Sequence, residues 1–198
     1  MEQIRCFIAI ELPPEVKAEL TKLQNKLRPA GGSAARWVEP NGIHLTLKFL
    51  GNVSSGQIDD VTKAIEEAAG GTPAFSLSLG ECGCFPDTRR PQVVWVGLAG
   101  DLKTLGELVK KLEAALVRLG FKPEGRAFTP HLTLARVKDT ATQTERQALG
   151  EAVGRLPVEI ATTIEAAEVC LMRSELTPRG AIYTRLAGIR LGNAGKTA

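Results

Sequence analysis

The hydrophobic positions of the chain alternate between a period of two, typical of strands, and a period of 3.6, typical of helices. Residues 3–10 are β-rich, and after Pro13-Pro14 the residues Val16, Leu20, Leu23 and Leu27 form one helical stripe. The same reading predicts strands over 36–38, 44–50, 75–79, 93–98, 131–137, 160–172 and 182–186. It predicts further helices over about 54–69, 101–119 and 142–154. Strand-rich segments that alternate with helices and short turns favour an α+β fold with antiparallel sheets.

Two helix starts carry capping signals. Ser54 followed three residues later by Gln57 predicts a capping box at the start of the second helix. Asp101 is the predicted N-cap of the third helix, because a carboxylate there accepts a hydrogen bond from a free backbone N–H group.

The chain contains two histidines, and both open the same tetrapeptide, His-Leu-Thr-Leu, at His44 and at His131. Successive side chains of a strand point to opposite faces, so His44 and Thr46 share one face, as do His131 and Thr133. A single histidine of this kind is more often a hydrogen-bonded strand residue. Because the motif is repeated, and because paired acids and bases concentrate in active sites, we expect the two histidines to act as a pair.

Paired imidazoles suit the cleavage of a phosphoester. A neutral imidazole takes a proton from the nucleophile, and a protonated one gives a proton to the leaving oxygen. A threonine hydroxyl two residues farther along the strand, about 6.6 Å away by Cα spacing, is placed to bind a phosphoryl oxygen. The sequence therefore predicts a clamp of His44, Thr46, His131 and Thr133 around one phosphorus. We expect no metal and no other cofactor, because the sequence offers no obvious carboxylate cluster.

Residues that flank the motifs are candidates for substrate contacts. Lys48, Arg126 and Arg136 are possible contacts of substrate phosphates, with a solvated surface charge as the alternative for each. Phe128 and Trp37 are candidates for stacking on a base. For both aromatic residues, packing in the core is the alternative.

Composition and charge restrict the class of protein. A length of 198 residues with 43% hydrophobic and 24% charged residues is typical of a globular domain, and a net charge of +3 permits a polyanionic partner without requiring one. No apolar run approaches the roughly 20 residues that span a bilayer, and the first eight residues lack the features of a signal peptide. Of the four cysteines only Cys82 and Cys84 are close, and their spacing is not that of a zinc ribbon, so we expect free thiols in a reducing compartment.

The motifs and their flanks resemble the 2H phosphoesterase superfamily, and within it the bacterial and archaeal RNA 2′,3′-cyclic phosphodiesterases, also called 2′-5′ RNA ligases. The resemblance extends over about residues 5–186, and the segments that carry it are 5–10, 37–38, 44–51, 128–136 and 171–176, with Gly180 and Tyr183. A single His-x-Thr is a weak signal. Two of them, the second between Phe-Thr-Pro and Ala-Arg, are a strong one.

The resemblance implies a metal-independent reaction at a terminal 2′,3′-cyclic phosphate of RNA, which water opens to a 2′-phosphate. His44 would protonate the departing 3′ oxygen and His131 would activate the water, although the reversed assignment remains open. Thr46 and Thr133 would bind the phosphoryl oxygens.

Three alternatives remain open at this point. Some members of the family join RNA ends through a 2′-5′ linkage, the reverse of the same chemistry. The substrate could also be another cyclic or 2′-5′-linked nucleotide. The third alternative is a module that binds RNA ends without catalysis. The two histidines argue against it, because binding alone needs no acid–base pair.

We therefore expect a single α+β domain over 1–198 with two pseudo-symmetric lobes. Each lobe would have an antiparallel sheet with helices on its outer face, and the motif strands would face each other across a central groove. A flexible tail is predicted over 192–198. We expect a cytoplasmic monomer that acts on RNA with a 2′,3′-cyclic phosphate end, tRNA-like fragments included, and that has no membrane partner.

Overall fold

The computed structural model describes residues 2–157, 162–178 and 180–192. The strands are β1 (Gln3–Glu11), β2 (Ala35–Trp37), β3 (His44–Ser54), β4 (Phe75–Phe85), β5 (Val93–Gly100), β6 (His131–Val137), β7 (Thr163–Ala166), β8 (Glu168–Thr177) and β9 (Gly180–Arg190). The helices are α1 (Pro14–Gly31), α2 (Ile58–Gly70), α3 (Leu102–Arg118) and α4 (Gln143–Arg155). Two short 3₁₀ turns lie at Pro40–Gly42 and Ser55–Gln57.

The strands form two antiparallel sheets, which confirms the predicted α+β class. The first sheet has the strand order β3-β1-β8-β9, and the second has the order β2-β6-β5-β4-β7. Helix α2 packs on β8 and β9 of the first sheet, α4 packs on β4 of the second, and α3 reaches both sheets. We call the face of each sheet that points away from the helices its open face. His44 begins β3 in the first sheet, and His131 begins β6 in the second.

The sheets do not correspond to the two halves of the chain. Strands β8 and β9, from the C-terminal part, complete the first sheet beside β1, whereas the early strand β2 joins the second sheet. The prediction of one strand over 160–172 is wrong within the described residues, because β7 and β8 belong to different sheets and are separated at Ala167. The apolar alternation continues across this break, so the pattern alone could not show that the strand changes partners.

The core explains why the motif strands are oriented as they are. The largest fully buried side chains are all aliphatic, and they include Leu45 and Leu132, the second residues of the two motifs. Burial of a leucine side chain contributes about 1.5–3 kcal/mol. Because Leu45 and Leu132 point into the core, the neighbouring histidines and threonines are turned to the open faces, as predicted.

One predicted helix cap is confirmed and the other is wrong. Asp101 accepts a hydrogen bond from the backbone N–H of Thr104 at 2.9 Å. The capping box at Ser54 does not form: helix α2 starts at Ile58, and its N-cap residue Gln57 makes no side-chain capping bond. Ser54 is still paired with Gln3 in the β1–β3 ladder, which extends β3 up to the 3₁₀ turn.

Two further expectations concern the ends and thiols of the chain. Apart from Gly192, the predicted flexible tail lies outside the described residues. All four cysteines are free, as expected, and burial raises the pKa of Cys82 and of Cys170 to about 12. Among the helices of the described ranges, none is long and apolar enough to cross a membrane.

The packing of α4 against the loop after Phe85 can be tested with two glycines of one helix. A Cβ at Gly150 would lie 1.8 Å from the carbonyl oxygen of Thr88, whereas nothing lies within 4 Å of one at Gly154. We expect Gly150→Ala to lower the free energy of unfolding by about 1–3 kcal/mol, because the backbone must move. Gly154→Ala should raise it by up to about 1 kcal/mol through helix propensity. Urea unfolding followed by circular dichroism measures both, and stabilisation by Gly150→Ala would contradict this packing.

Candidate active site

Each motif histidine is oriented by the carbonyl group two residues before it. Nδ1 of His44 lies 2.8 Å from the oxygen of Gly42, and Nδ1 of His131 lies 2.8 Å from the oxygen of Thr129. A carbonyl oxygen only accepts hydrogen bonds, so Nδ1 is the donor in both rings. Nε2 of each imidazole is then the nitrogen available for proton transfer, and the two sites repeat one geometry.

Aromatic rings hold the imidazole of His44. The ring of Phe7 stacks on it at a centroid distance of 4.6 Å, and the ring of Tyr183 meets it edge-on at 5.0 Å. Phe7 is only 2% exposed and packs with Ala9, Cys170 and Met172 in a small cluster on the open face of the first sheet. The imidazole therefore lies on a rigid apolar surface that fixes its rotation.

Aromatic rings also hold the imidazole of His131. Phe85 meets it edge-on at 5.0 Å, and Trp95 lies at 6.5 Å. The indole of Trp95 lies over Gly83, where an added Cβ would be 2.4 Å from the ring. Gly83 is the middle residue of Cys82-Gly83-Cys84. Because glycine has no side chain, the indole of Trp95 can pack against the backbone at this position and lie beside His131.

Thr46 and Thr133 lie on the open faces beside their histidines, half-buried. In the ladders Thr46 is opposite Ala9, and Thr133 is opposite Trp95. Within the described part of the chain, neither hydroxyl has a hydrogen-bond partner. Both hydroxyls are therefore free to bind a ligand. The strands that carry them, β3 and β6, are in contact where the two sheets meet.

The two motif strands also share a β-bulge at the same position. In the β1–β3 ladder Ile8 faces Lys48 and Ala9 faces Thr46, so Leu47 has no opposite residue. In the β5–β6 ladder Leu134 is left out in the same way. A bulge inserts one extra residue and shifts the alternation of the strand, so the fifth residue after each histidine, not the fourth, returns to the open face.

The bulge corrects the prediction for Lys48. Uninterrupted alternation would place Lys48 beside His44 and Thr46, but the side chain of Lys48 points to the helices and is 6% exposed. Its ammonium group donates to Glu113 Oε1 at 2.7 Å and to the carbonyl oxygen of Lys122 at 3.0 Å. This ion pair joins the first sheet to α3, and the placement does not fit a contact with substrate.

The same shift turns Phe49 and Arg136 to the open faces. Both follow their histidine by five residues, and both are exposed, Phe49 to 67%. Phe49 also contacts Phe7 at a centroid distance of 6.2 Å. Arg136 stays a candidate contact of substrate phosphate, and Phe49 joins it as a residue that sequence reasoning missed.

The other flanking candidates lie in different surroundings. Phe128 and Trp37 are partly buried and pack against the core. Core packing was the alternative to base stacking for both residues. The ring of Trp37 packs on Gly31 of α1, on the helix side of the second sheet. Arg126 is exposed in the segment before β6, and the described residues offer it no ion pair.

The two histidines differ in their electrostatic surroundings. Glu11 is the cross-strand neighbour of His44, whereas Gly97 is the neighbour of His131. Burial lowers the pKa of His44, and the hydrogen bond to Gly42 and the carboxylate of Glu11 partly offset this, while Lys17 adds to the lowering. Glu11 is itself held by Arg185, which also binds Glu168 at 2.7 Å.

No group of three or more His, Cys, Asp or Glu side chains in the described ranges is arranged to hold a metal ion. Sequence reasoning assigned no role in the site to five aromatic residues, although three of them lie among the residues that carry the resemblance: Phe7, Phe49, Phe85, Trp95 and Tyr183. The chain has only six Phe, two Trp and one Tyr, so their scarcity was an available signal. The strand pairing that brings these aromatic residues to the histidines could not be read from the sequence.

Known proteins resemble this chain over nearly its whole length. The model of the LigT-like phosphoesterase family matches residues 10–95 and again 96–183. An RNA 2′,3′-cyclic phosphodiesterase of Methanothermobacter thermautotrophicus is 34% identical over 96% of this chain and 100% of its own length. One from Aquifex aeolicus is 29% identical over 97% of this chain and 100% of its own.

Solved structures share the fold. A protein of Thermus thermophilus superposes with a TM-score of 0.80 at 29% identity, over 97% of this chain and 100% of that one. Escherichia coli LigT complexed with 3′-AMP gives a TM-score of 0.74 at 29% identity, over 96% and 99% of the two chains. The twofold match of the family model follows the two motif strands, and the chain belongs to the LigT-like phosphoesterases of the 2H phosphoesterase superfamily.

Proposed function

We propose that this protein hydrolyses terminal 2′,3′-cyclic phosphates of RNA to 2′-phosphates without a metal ion. The observation that carries the proposal is the repeated geometry in which two imidazoles donate Nδ1–H to the backbone, each with a free threonine hydroxyl beside it. The activity named for the relatives supports the substrate class.

The reaction follows from this arrangement. Nε2 of neutral His131 takes a proton from water as the water oxygen bonds to phosphorus. The bond between phosphorus and O3′ breaks, and Nε2–H of protonated His44 delivers its proton to O3′. The product carries a 2′-phosphate and a 3′-hydroxyl, and proton exchange with solvent restores the two histidines. The hydroxyls of Thr46 and Thr133 donate to the non-bridging oxygens, on which negative charge accumulates.

Burial lowers the pKa of His44 in the free protein, and its assignment as the acid depends on the charges that oppose this effect. The carboxylate of Glu11 favours the imidazolium form of His44, and the glycine opposite His131 provides no such charge. Burial of His44 opposes protonation in the free protein. An anionic phosphate bound between the histidines favours the imidazolium form in the complex, where the proton is needed.

Phe49 is the aromatic ring that best fits a contact with the base. Its ring is exposed on the open face of the first sheet, beside Phe7, whose ring stacks on the imidazole of His44. Stacking on exposed aromatic rings is the usual way in which proteins bind unpaired bases. The partly buried Phe128 and Trp37 offer less ring surface for this contact.

Replacing either histidine tests the acid–base pair. His44→Ala and His131→Ala should each lower kcat by at least about 10²-fold, because each removes one proton transfer. Turnover of adenosine 2′,3′-cyclic phosphate in the presence of EDTA is the assay, and wild-type activity should survive chelation. Lys48→Met removes a basic residue near the motif that lies outside the site. It should lower Tm, because the ion pair with Glu113 is lost, and should retain turnover per folded protein. Loss of wild-type activity on chelation, restored by zinc or manganese, would contradict the metal-free mechanism.

Glu11→Gln tests which histidine is the acid. The substitution lowers the pKa of His44, so less imidazolium survives at high pH. If His44 is the acid, kcat/KM should fall about threefold to tenfold on the alkaline side of the pH profile and stay the same on the acidic side.

The matched control is Glu168→Gln, which removes the other partner of Arg185 without facing His44. It should leave both sides of the profile in place. A gain in kcat/KM on the acidic side for Glu11→Gln, with the alkaline side unchanged, would show that His44 is the base.

A further inference from the structure

A basic loop joins β4 to β5 at one end of the second sheet. This loop, residues 86–92, contains Arg89 and Arg90, and both arginines are exposed. It begins directly after Phe85, whose ring meets the imidazole of His131 edge-on at 5.0 Å. The 86–92 loop therefore continues from the wall of the His131 site.

The single acidic residue of the loop orders its backbone. Oδ1 of Asp87 accepts hydrogen bonds from the backbone N–H groups of Arg89 at 2.8 Å and of Arg90 at 3.0 Å. The N–H group of Gln92 donates to the carbonyl oxygen of Phe85 at 2.8 Å, which closes the loop at its base. The backbone positions from which the two arginine side chains extend are thus fixed.

Helix α4 ties the loop to the second motif strand, β6. The guanidinium group of Arg146 donates to the carbonyl oxygens of Pro91 at 2.9 Å and of Lys138 at 2.7 Å, and Lys138 directly follows β6. A Cβ at Gly150 would lie 1.8 Å from the carbonyl oxygen of Thr88, so α4 and the loop are in direct contact. The position of the loop relative to the active site is therefore set by the helix layer.

The two arginines of the loop have no partner in the described part of the chain. Neither side chain forms an ion pair or a hydrogen bond there, whereas Arg118 and Arg155, exposed arginines of α3 and α4, pair with glutamates. Positive charges that the protein leaves unpaired attract anions. Guanidinium groups suit phosphate oxygens in particular, because they present several donors in a fixed fork.

The 86–92 loop lies beside the phosphate clamp, not within it. Trp95 is opposite Thr133 in the ladder, and Arg90 precedes Trp95 by five residues. Five residues of extended chain span up to about 17 Å. The loop is thus too far along the chain for the reacting phosphate and is placed for other parts of a longer strand.

We propose that Arg89 and Arg90 bind backbone phosphates of the RNA beyond its terminal nucleotide. The inference rests on the proposed function and extends it, because it names a second contact surface for the same substrate. The loop distinguishes an RNA strand from a cyclic mononucleotide, and it acts through charge without reading the bases.

The effect of RNA length tests this inference. The substrates are adenosine 2′,3′-cyclic phosphate and a short oligoadenylate with the same cyclic end. Wild-type kcat/KM at low salt should be higher for the oligoadenylate. Arg89→Gln combined with Arg90→Gln should lower that ratio by about tenfold, as the loss of two exposed charge contacts would. Arg89→Lys combined with Arg90→Lys should retain most of the ratio, because the charges remain.

The matched control combines Arg118→Gln with Arg155→Gln, which changes the net charge by the same amount outside the loop. This control should keep the wild-type ratio. A wild-type ratio near one would overturn the inference, as would a ratio that the loop variant leaves intact or that the control lowers equally. The loop variant should keep the wild-type Tm. An equal loss on both substrates together with a lower Tm would show a structural role and would also overturn it.

Product binding separates this inference from the proposed function. An oligoadenylate with a 2′-phosphate end should bind wild-type protein more tightly than adenosine 2′-phosphate does. For that oligoadenylate, the salt dependence of log affinity should be less steep by about 1.4 in the glutamine variant of the loop, the value for two phosphate contacts of a single strand. An unchanged slope would contradict the inference. If neither cyclic substrate is turned over, the proposed function fails, and this difference in slope still decides the inference.

Discussion

The hydrogen bond from each histidine Nδ1 to a backbone carbonyl is the interaction on which the site depends. Both bonds are 2.8 Å long and join residues two apart, so each imidazole is fixed by the strand that carries it. The bond selects the tautomer and directs Nε2 away from the backbone. Rings of Phe7 and Tyr183 on one side, and of Phe85 and Trp95 on the other, remove the remaining rotational freedom.

The repeated bulge gives the two halves of the site their different chemistry. At the same position in both strands it buries the fourth residue after the histidine and exposes the fifth. In the first sheet the exposed residue is the aromatic Phe49, and in the second it is the cationic Arg136. A nearly symmetric scaffold thus presents an aromatic ring on one side of the site and a positive charge on the other.

The sequence predicted what depends on local pattern. The His-Leu-Thr-Leu alternation predicted which residues share a face, and Leu45 and Leu132 are buried accordingly. It could not predict the bulges, because they depend on which strand lies alongside. The sequence therefore gave no sign that Lys48, a possible substrate contact, points to the helices, and it assigned Phe49 no role. Gln24 gave no signal either. It is a buried polar residue of α1, and its Nε2 donates to the carbonyl oxygens of Val38 and Leu134, which are distant in sequence.

The central claim is that His44 and His131 act on opposite sides of one phosphorus, so that only the 3′ oxygen leaves. The most direct measurement is the ³¹P NMR spectrum of the product formed from adenosine 2′,3′-cyclic phosphate, compared with authentic 2′- and 3′-phosphates. The account predicts adenosine 2′-phosphate as the single product. Adenosine 3′-phosphate, or a mixture of the two isomers, would contradict it.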